Sequence, residues 1–181
     1  MNIQSPTWLN QGRDEIIIET APECIWSVLE DSRRLREWMP AVKDTNGQLE
    51  TLGSTRTCQV SLDGRAGVVV ERCVVHKPFH RIGWQLVEDT LGFSKMLKHF
   101  AFDFVLIPEG SSKTRVVNSS YFEPRNVLVR IVIALVIRRK FRAIRQTSLS
   151  NIKRLAEAVG GKTRAAPVTA QFASDRSCGG G

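Results

Sequence analysis

The stretch Ile16-Ile-Ile-Glu-Thr-Ala-Pro-Glu-Cys-Ile-Trp-Ser-Val-Leu-Glu-Asp31, with Leu35-Arg-Glu-Trp-Met-Pro40 just after it, decides the fold. Residues 15–19 are short and β-branched and predict a strand. Thr20 then offers a helix cap and Pro22 suits a first helical turn. Ile25, Val28 and Leu29, with Trp26 alongside, give that helix its apolar side. Asp31-Ser32 opens a second short helix whose apolar side is Leu35, Trp38 and Met39, and Pro40 stops it.

Downstream, from Val42 to Glu123, the pattern becomes β-rich, with runs at about 44–51, 54–62, 66–76, 80–88, 95–107 and 113–122. Only short turns separate them: Gly53, Asp63-Gly64, Lys77-Pro78, Asp89 to Gly92, and Pro108 to Ser112. Consecutive strands joined this way form an antiparallel meander, because parallel neighbours need long crossovers. Phe100, Phe102 and Phe104 recur with period two, as do Ile82, Trp84 and Leu86, so one face of the sheet is apolar.

Asn126 to Val159 contains neither Gly nor Pro and predicts one long helix. At 100° per residue, Arg130, Ala134, Ile137, Phe141, Ile144, Ser148, Ile152, Leu155 and Val159 fall on one stripe, which should lie on the apolar sheet face. Gly160-Gly161 is expected to end the helix. The chain therefore divides into an N-terminal extension (1–12), a single folded domain (13–159) and a disordered tail (160–181) rich in Ala, Ser, Thr and Gly.

Composition supports a soluble globular domain: 181 residues, 42% hydrophobic and 24% charged. A domain this size buries roughly 70% of its unfolded surface and needs no disulfide or metal to stand. The net charge of +8 is local. Arg125 to Glu157 holds nine basic residues against one acid, whereas the chain before it is slightly acidic. The four cysteines are scattered without a C-x-x-C pair, so a reducing cytoplasm is the expected compartment. Met1 to Gln11 has no charged or apolar signal region. The apolar run Ile131 to Ile137 is far shorter than the roughly 20 residues of a spanning helix. Gly160-Gly161-Lys162-Thr163 follows a helix instead of opening one, so it is no phosphate loop. No G-x-S-x-G or H-E-x-x-H occurs, and His76, His80 and His99 are badly spaced for a metal centre. No metal and no cofactor are expected.

The opening strand, Ala21-Pro22, helix, Asp31 and Trp38-Met-Pro40 pattern resembles the START-like, or SRPBCC, superfamily, in particular its bacterial polyketide cyclase/dehydrase-like branch. The resemblance covers about residues 13 to 158 and includes Glu71-Arg-Cys-Val ahead of Lys77-Pro78. It implies an α+β helix-grip fold: a curved seven-stranded antiparallel sheet around a long C-terminal helix, two short helices after the first strand, and a deep apolar cavity between sheet and helix. It also implies a hydrophobic small-molecule ligand such as a lipid, polyketide or isoprenoid-like compound. Catalytic and non-catalytic members share the fold, so a polyketide cyclase/dehydrase-type enzyme is the alternative, and fold alone does not choose.

On that basis Trp84, Phe100, Phe102, Phe104, Ala134, Ile137 and Phe141 are the expected apolar lining. Arg130 interrupts the helix stripe and would sit at the cavity mouth or snorkel to solvent. Asn118 and Tyr121 point to opposite faces of the last strand, so one at most reaches the cavity, and the Tyr hydroxyl is the preferred candidate. His99 and Asp103 share the face opposite the three phenylalanines. The Phe side is taken as the inner one, leaving both solvated; the opposite assignment would make them an acid–base pair.

Leu128, Val132 and Leu135 lie on the outer face of the helix start, followed by Arg138, Arg139, Lys140, Arg142 and Arg145. An apolar patch beside a basic cluster suits peripheral contact with the inner membrane surface. A homodimer contact, or irregular first turns tucked under the sheet edge, would also cover it. Nucleic acid ranks below these, since no aromatic residue interleaves with the charges on the exposed side.

Overall fold

The computed structural model describes residues 10–132 and 138–165. Strand β1 (Asn10–Ile18) leads into helix α1 (Pro22–Leu29), a single 3-10 turn (Ser32–Arg34) and helix α2 (Leu35–Trp38). Strands β2 (Val42–Thr45), β3 (Thr55–Leu62), β4 (Arg65–Lys77) and β5 (Arg81–Asp89) follow. A short helix α3 (Phe93–Met96) precedes β6 (Leu97–Pro108) and β7 (Thr114–Pro124). Two helical segments close the chain, α4 (Val127–Val132) and α5 (Arg138–Ala165). All seven strands form one antiparallel sheet in the order β1-β7-β6-β5-β4-β3-β2, so the first strand is seated beside the last. This is the expected α+β helix-grip architecture, a curved sheet with a long C-terminal helix and short helices after the first strand.

Local chemistry accounts for the connections. Asp63 and Gly64 both have positive φ (51° and 77°), the conformation of the two-residue hairpin that joins β3 and β4. Asp31 accepts from the Arg33 amide at 3.0 Å and caps the 3-10 turn. Thr20 does not cap α1: the N-cap is Ala21, with no side-chain bond. Thr20 is instead buried, its carbonyl accepting from Thr114 Oγ1 at 2.8 Å. The second strand is short, Val42–Thr45 in place of 44–51, because Leu49 and Glu50 turn back toward Asp31 and Glu30.

The core forms where α5 seats on α1, α2 and β1. Ile18, Ile25, Leu29, Leu35, Trp38 and Ile152 are fully buried there. Trp38 meets Phe104 edge-on at 5.5 Å. A second cluster, Leu97 and Phe122 with Met96, Phe100, Val129 and Phe141, closes the other end.

Two expectations about the C-terminal helix need correction. It does not stop at Gly160-Gly161 but runs through them to Ala165. Gly160 is there because the helix passes directly over Thr20, whose Oγ1 occupies the space a Cβ would need. The start of the helix is not irregular or tucked away: Val127–Val132 is helical and largely exposed. Ala134, Leu135 and Ile137 lie outside the described residues, as do residues 1–9 of the extension and 166–181 of the tail.

Candidate functional site: an apolar cavity between sheet and helix

Helix α5 contacts the β1–β7 side of the sheet, which leaves the concave face of β3–β6 only partly filled. A cavity of about 110 Å³ remains. Its apolar wall is Val42, Val60, Leu62, Val69, Leu86, Phe93, Phe100, Phe102, Phe141 and Ile144, with Met39 and Ala41 from the α2 end. Five polar side chains reach it: Glu71, Asn118, Ser120, Arg145 and Ser148.

These polar groups sit on opposite walls. On the helix side Arg145 is 8% exposed and donates from Nε to Asp14 Oδ2 at 2.7 Å. Its Nη1 reaches Ser120 Oγ at 3.5 Å, and its guanidinium occupies the space beside Gly12 where a side chain would stand. Asn118 donates to the Asp103 carbonyl at 3.0 Å, which fixes its amide on the inner face. On the far wall Glu71 Oε2 accepts from Arg56 Nε at 2.8 Å. The two residues are direct cross-strand partners, and Arg56 also stands 4.1 Å over the Trp84 ring. Glu50 and Ser32 complete this buried network, Glu50 Oε1 lying 3.4 Å from Arg56 Nη1.

A groove of about 190 Å³ adjoins the cavity and shares Leu62, Phe93, Phe141 and Ile144 with it. These four side chains border both spaces. Asp89 holds Phe93 in place by accepting from the Phe93 and Ser94 amides, both at 2.8 Å. Phe141 stacks on Phe100 at 5.5 Å and 10°. Lys140 and Asp63 pair across the groove's outer rim.

Of the residues singled out in the sequence, Phe100, Phe102, Asn118 and Phe141 line the cavity. Trp84 and Phe104 share the inner face but are fully buried in side-chain packing and do not border the void. Tyr121 is on the outer face, a correction to the preference for its hydroxyl over Asn118. It approaches the Asp103 carboxylate at 3.4 Å, beside Arg81, whose Nε donates to Asp103 at 2.7 Å. Asp103 is thus not solvated as expected but 3% exposed, and burial pushes its carboxyl up despite the Arg81 pairing and the Tyr121 contact. His99 is exposed on a bulge between Lys98 and Ala101, with φ 52°. Neither His99 nor Asp103 borders the cavity. Arg130 is exposed on α4.

Sequence reasoning missed Arg145, counting it among the surface basic residues, and missed Arg56, Glu71 and Glu50 altogether. A signal existed. Asp14 alternates with Ile16 and Ile18 on β1, and Glu71 with Val69 and Cys73 on β4, so each puts a carboxylate on an inward face and demands a cationic partner.

A curved sheet gripping a helix over an apolar void with a few polar groups defines a START-like protein. The chain belongs to the family described as polyketide cyclase / dehydrase and lipid transport, whose model matches residues 11–157. No curated protein matches it. Among solved structures it is similar to the ZhuI aromatase/cyclase of a Streptomyces species, with 16% identity and a TM-score of 0.65 over 86% of this chain and 96% of that one. A norcoclaurine synthase point mutant of Thalictrum flavum, bound to a transition-state analogue, gives 13% identity and 0.64 over 85% and 98%. A major latex-like protein of Panax ginseng gives 15% and 0.61 over 78% and 96%. At such identities the likeness is one of fold. Among the described residues no helix is long and apolar enough to cross a membrane.

Proposed function

We propose that this protein binds a hydrophobic small molecule of the lipid, polyketide or isoprenoid kind in its internal cavity, and sequesters or carries it. The observation behind this reading is the cavity itself: about 110 Å³ walled by aliphatic and phenyl side chains, with one buried guanidinium on its rim. Apolar burial supplies affinity, roughly 25 cal/mol per Å² removed from water before ordering costs. Asn118, Ser120 and Arg145 supply direction, offering donors to an oxygen on the ligand. Because ligand sites usually reach about 300 Å³ or more, the cavity as it stands is too small for such a guest. Rotation of Phe93 and Phe141 would join it to the adjoining groove and make that room.

A cyclase or dehydrase reading draws on Glu71, the one carboxylate among the described lining residues. Arg56 binds it as an acceptor, which suits a fixed dipole better than a proton carrier. The carboxyl that burial pushes up, Asp103, is on the other side of the sheet.

Mass spectrometry of the natively purified protein, compared with its organic extract, tests the proposal. A stoichiometric apolar molecule is the expected result. A protein that carries none and takes up neither a fatty acid nor a polycyclic aromatic probe would remove the binding reading. Conversion of an added poly-ketone would establish the enzyme instead.

A further inference from the structure

Helix α4 presents a surface that water alone does not explain. Helix α4 turns Val129 into the cluster with Phe122 and Phe141 and leaves its other side bare. Val127 and Leu128 are 73% and 71% exposed, Ile131 and Val132 51% and 43%. At 100° per residue these four fall within an arc of about 140° that leaves Val129 outside it, so they form one face. Single exposed aliphatics are ordinary; a contiguous apolar face marks a contact.

Along the chain just after Glu123 the charge is of one sign. Arg125, Arg130, Arg138, Arg139, Lys140 and Arg142 are all exposed, and no acid occurs between Glu123 and Glu157. Lys140 pairs with Asp63 and Arg142 with Asp14. Among the described residues no carboxylate pairs with Arg130, Arg138 or Arg139. A second copy of the chain would set this basic surface against itself. A nucleic acid would take the charge and leave the aliphatic face in water. An anionic bilayer satisfies both halves, with aliphatic side chains in the acyl boundary and guanidinium groups among the headgroups.

We infer that the Val127–Val132 face and the arginines beside it dock the protein on an anionic lipid bilayer. Val129 and Phe141 share one cluster, so α4 sits against the Phe141 end of the cavity. Docking goes beyond the ligand reading and is measured without any ligand.

The test is co-sedimentation of the full chain with vesicles of pure phosphatidylcholine or of phosphatidylcholine with about 30 mol% phosphatidylserine. Affinity for the anionic vesicles should be at least about tenfold higher and should fall several-fold in about 0.5 M salt. The Leu128→Asp/Ile131→Asp variant should lose at least about tenfold with an unchanged thermal midpoint, since both positions are already in water. The Arg138→Gln/Arg139→Gln variant should lose about fivefold per charge removed. Equal binding to both vesicle types, no binding, or binding indifferent to both variants would overturn the inference. So would a dimer that Leu128→Asp/Ile131→Asp dissociates, or an oligonucleotide bound where vesicles are not.

Discussion

Arg145 Nε donates to Asp14 Oδ2 at 2.7 Å, tying the long helix to the first strand across 131 positions of sequence. Both side chains are about nine-tenths buried. Removing one partner strands the other, whereas replacing both by neutral groups removes the penalty with the pair. Asp14→Ala should destabilise the fold by about 3 kcal/mol, and Asp14→Asn/Arg145→Met should recover most of that loss. Urea unfolding of the two proteins decides it; equal losses would mean the pair has no coupling.

Filling the cavity should block binding while the fold survives. Val69 is on the wall and 6% exposed, so Val69→Phe places a ring in the void at a packing cost of about 1–3 kcal/mol. A fluorescence titration with an apolar naphthalene-type probe should then show affinity reduced at least about tenfold. Undiminished uptake would place the binding site elsewhere.

The two helical glycines should behave oppositely. A Cβ at Gly160 overlaps Thr20 Oγ1, while at Gly161 it meets nothing. Gly160→Ala should therefore cost about 1–3 kcal/mol through overpacking. Gly161→Ala should gain up to about 1 kcal/mol from helix propensity. Thermal midpoints moving in the same direction would contradict this.

Burial raises the Asp103 carboxyl above its ordinary value of 3.8. A raised acid keeps its proton longer in the native state than in the unfolded one. Its stabilising contribution is present below about pH 4 and is lost as pH rises through the native pKa. Urea unfolding followed upward from pH 4 should show this falling component in the native sequence and not in Asp103→Asn. Parallel profiles would discount it.

Burial, the largest influence on each, pushes the Cys58 thiol up to about 11 and the Cys73 thiol up to about 12. Both are buried, whereas Cys24 is partly exposed. At pH 8 a thiol-specific reagent should modify Cys24 at least about a hundredfold faster than Cys58 or Cys73, with the latter two reacting on unfolding. Peptide mapping after brief labelling measures this directly.

What the sequence by itself determined was the order and handedness of burial along each element. Ile16, Ile18, Ile25 and Leu29 repeat at strand and helix periods, and Phe100, Phe102 and Phe104 alternate, because each element must bury one face whatever its neighbours are. Asp63-Gly64 and Pro22 act within a few residues and were legible for the same reason. What only the tertiary structure decided depends on which distant groups meet. Gly160 reads as a helix stop until Thr20 is seen against it. Arg145 reads as one more surface cation until Asp14 is brought to it, and Tyr121 loses its place to Asn118 through strand parity fixed by the packed face. The cavity is likewise a remainder: its volume is whatever α5 leaves unfilled after seating on α1, α2 and β1, and no single element encodes that difference.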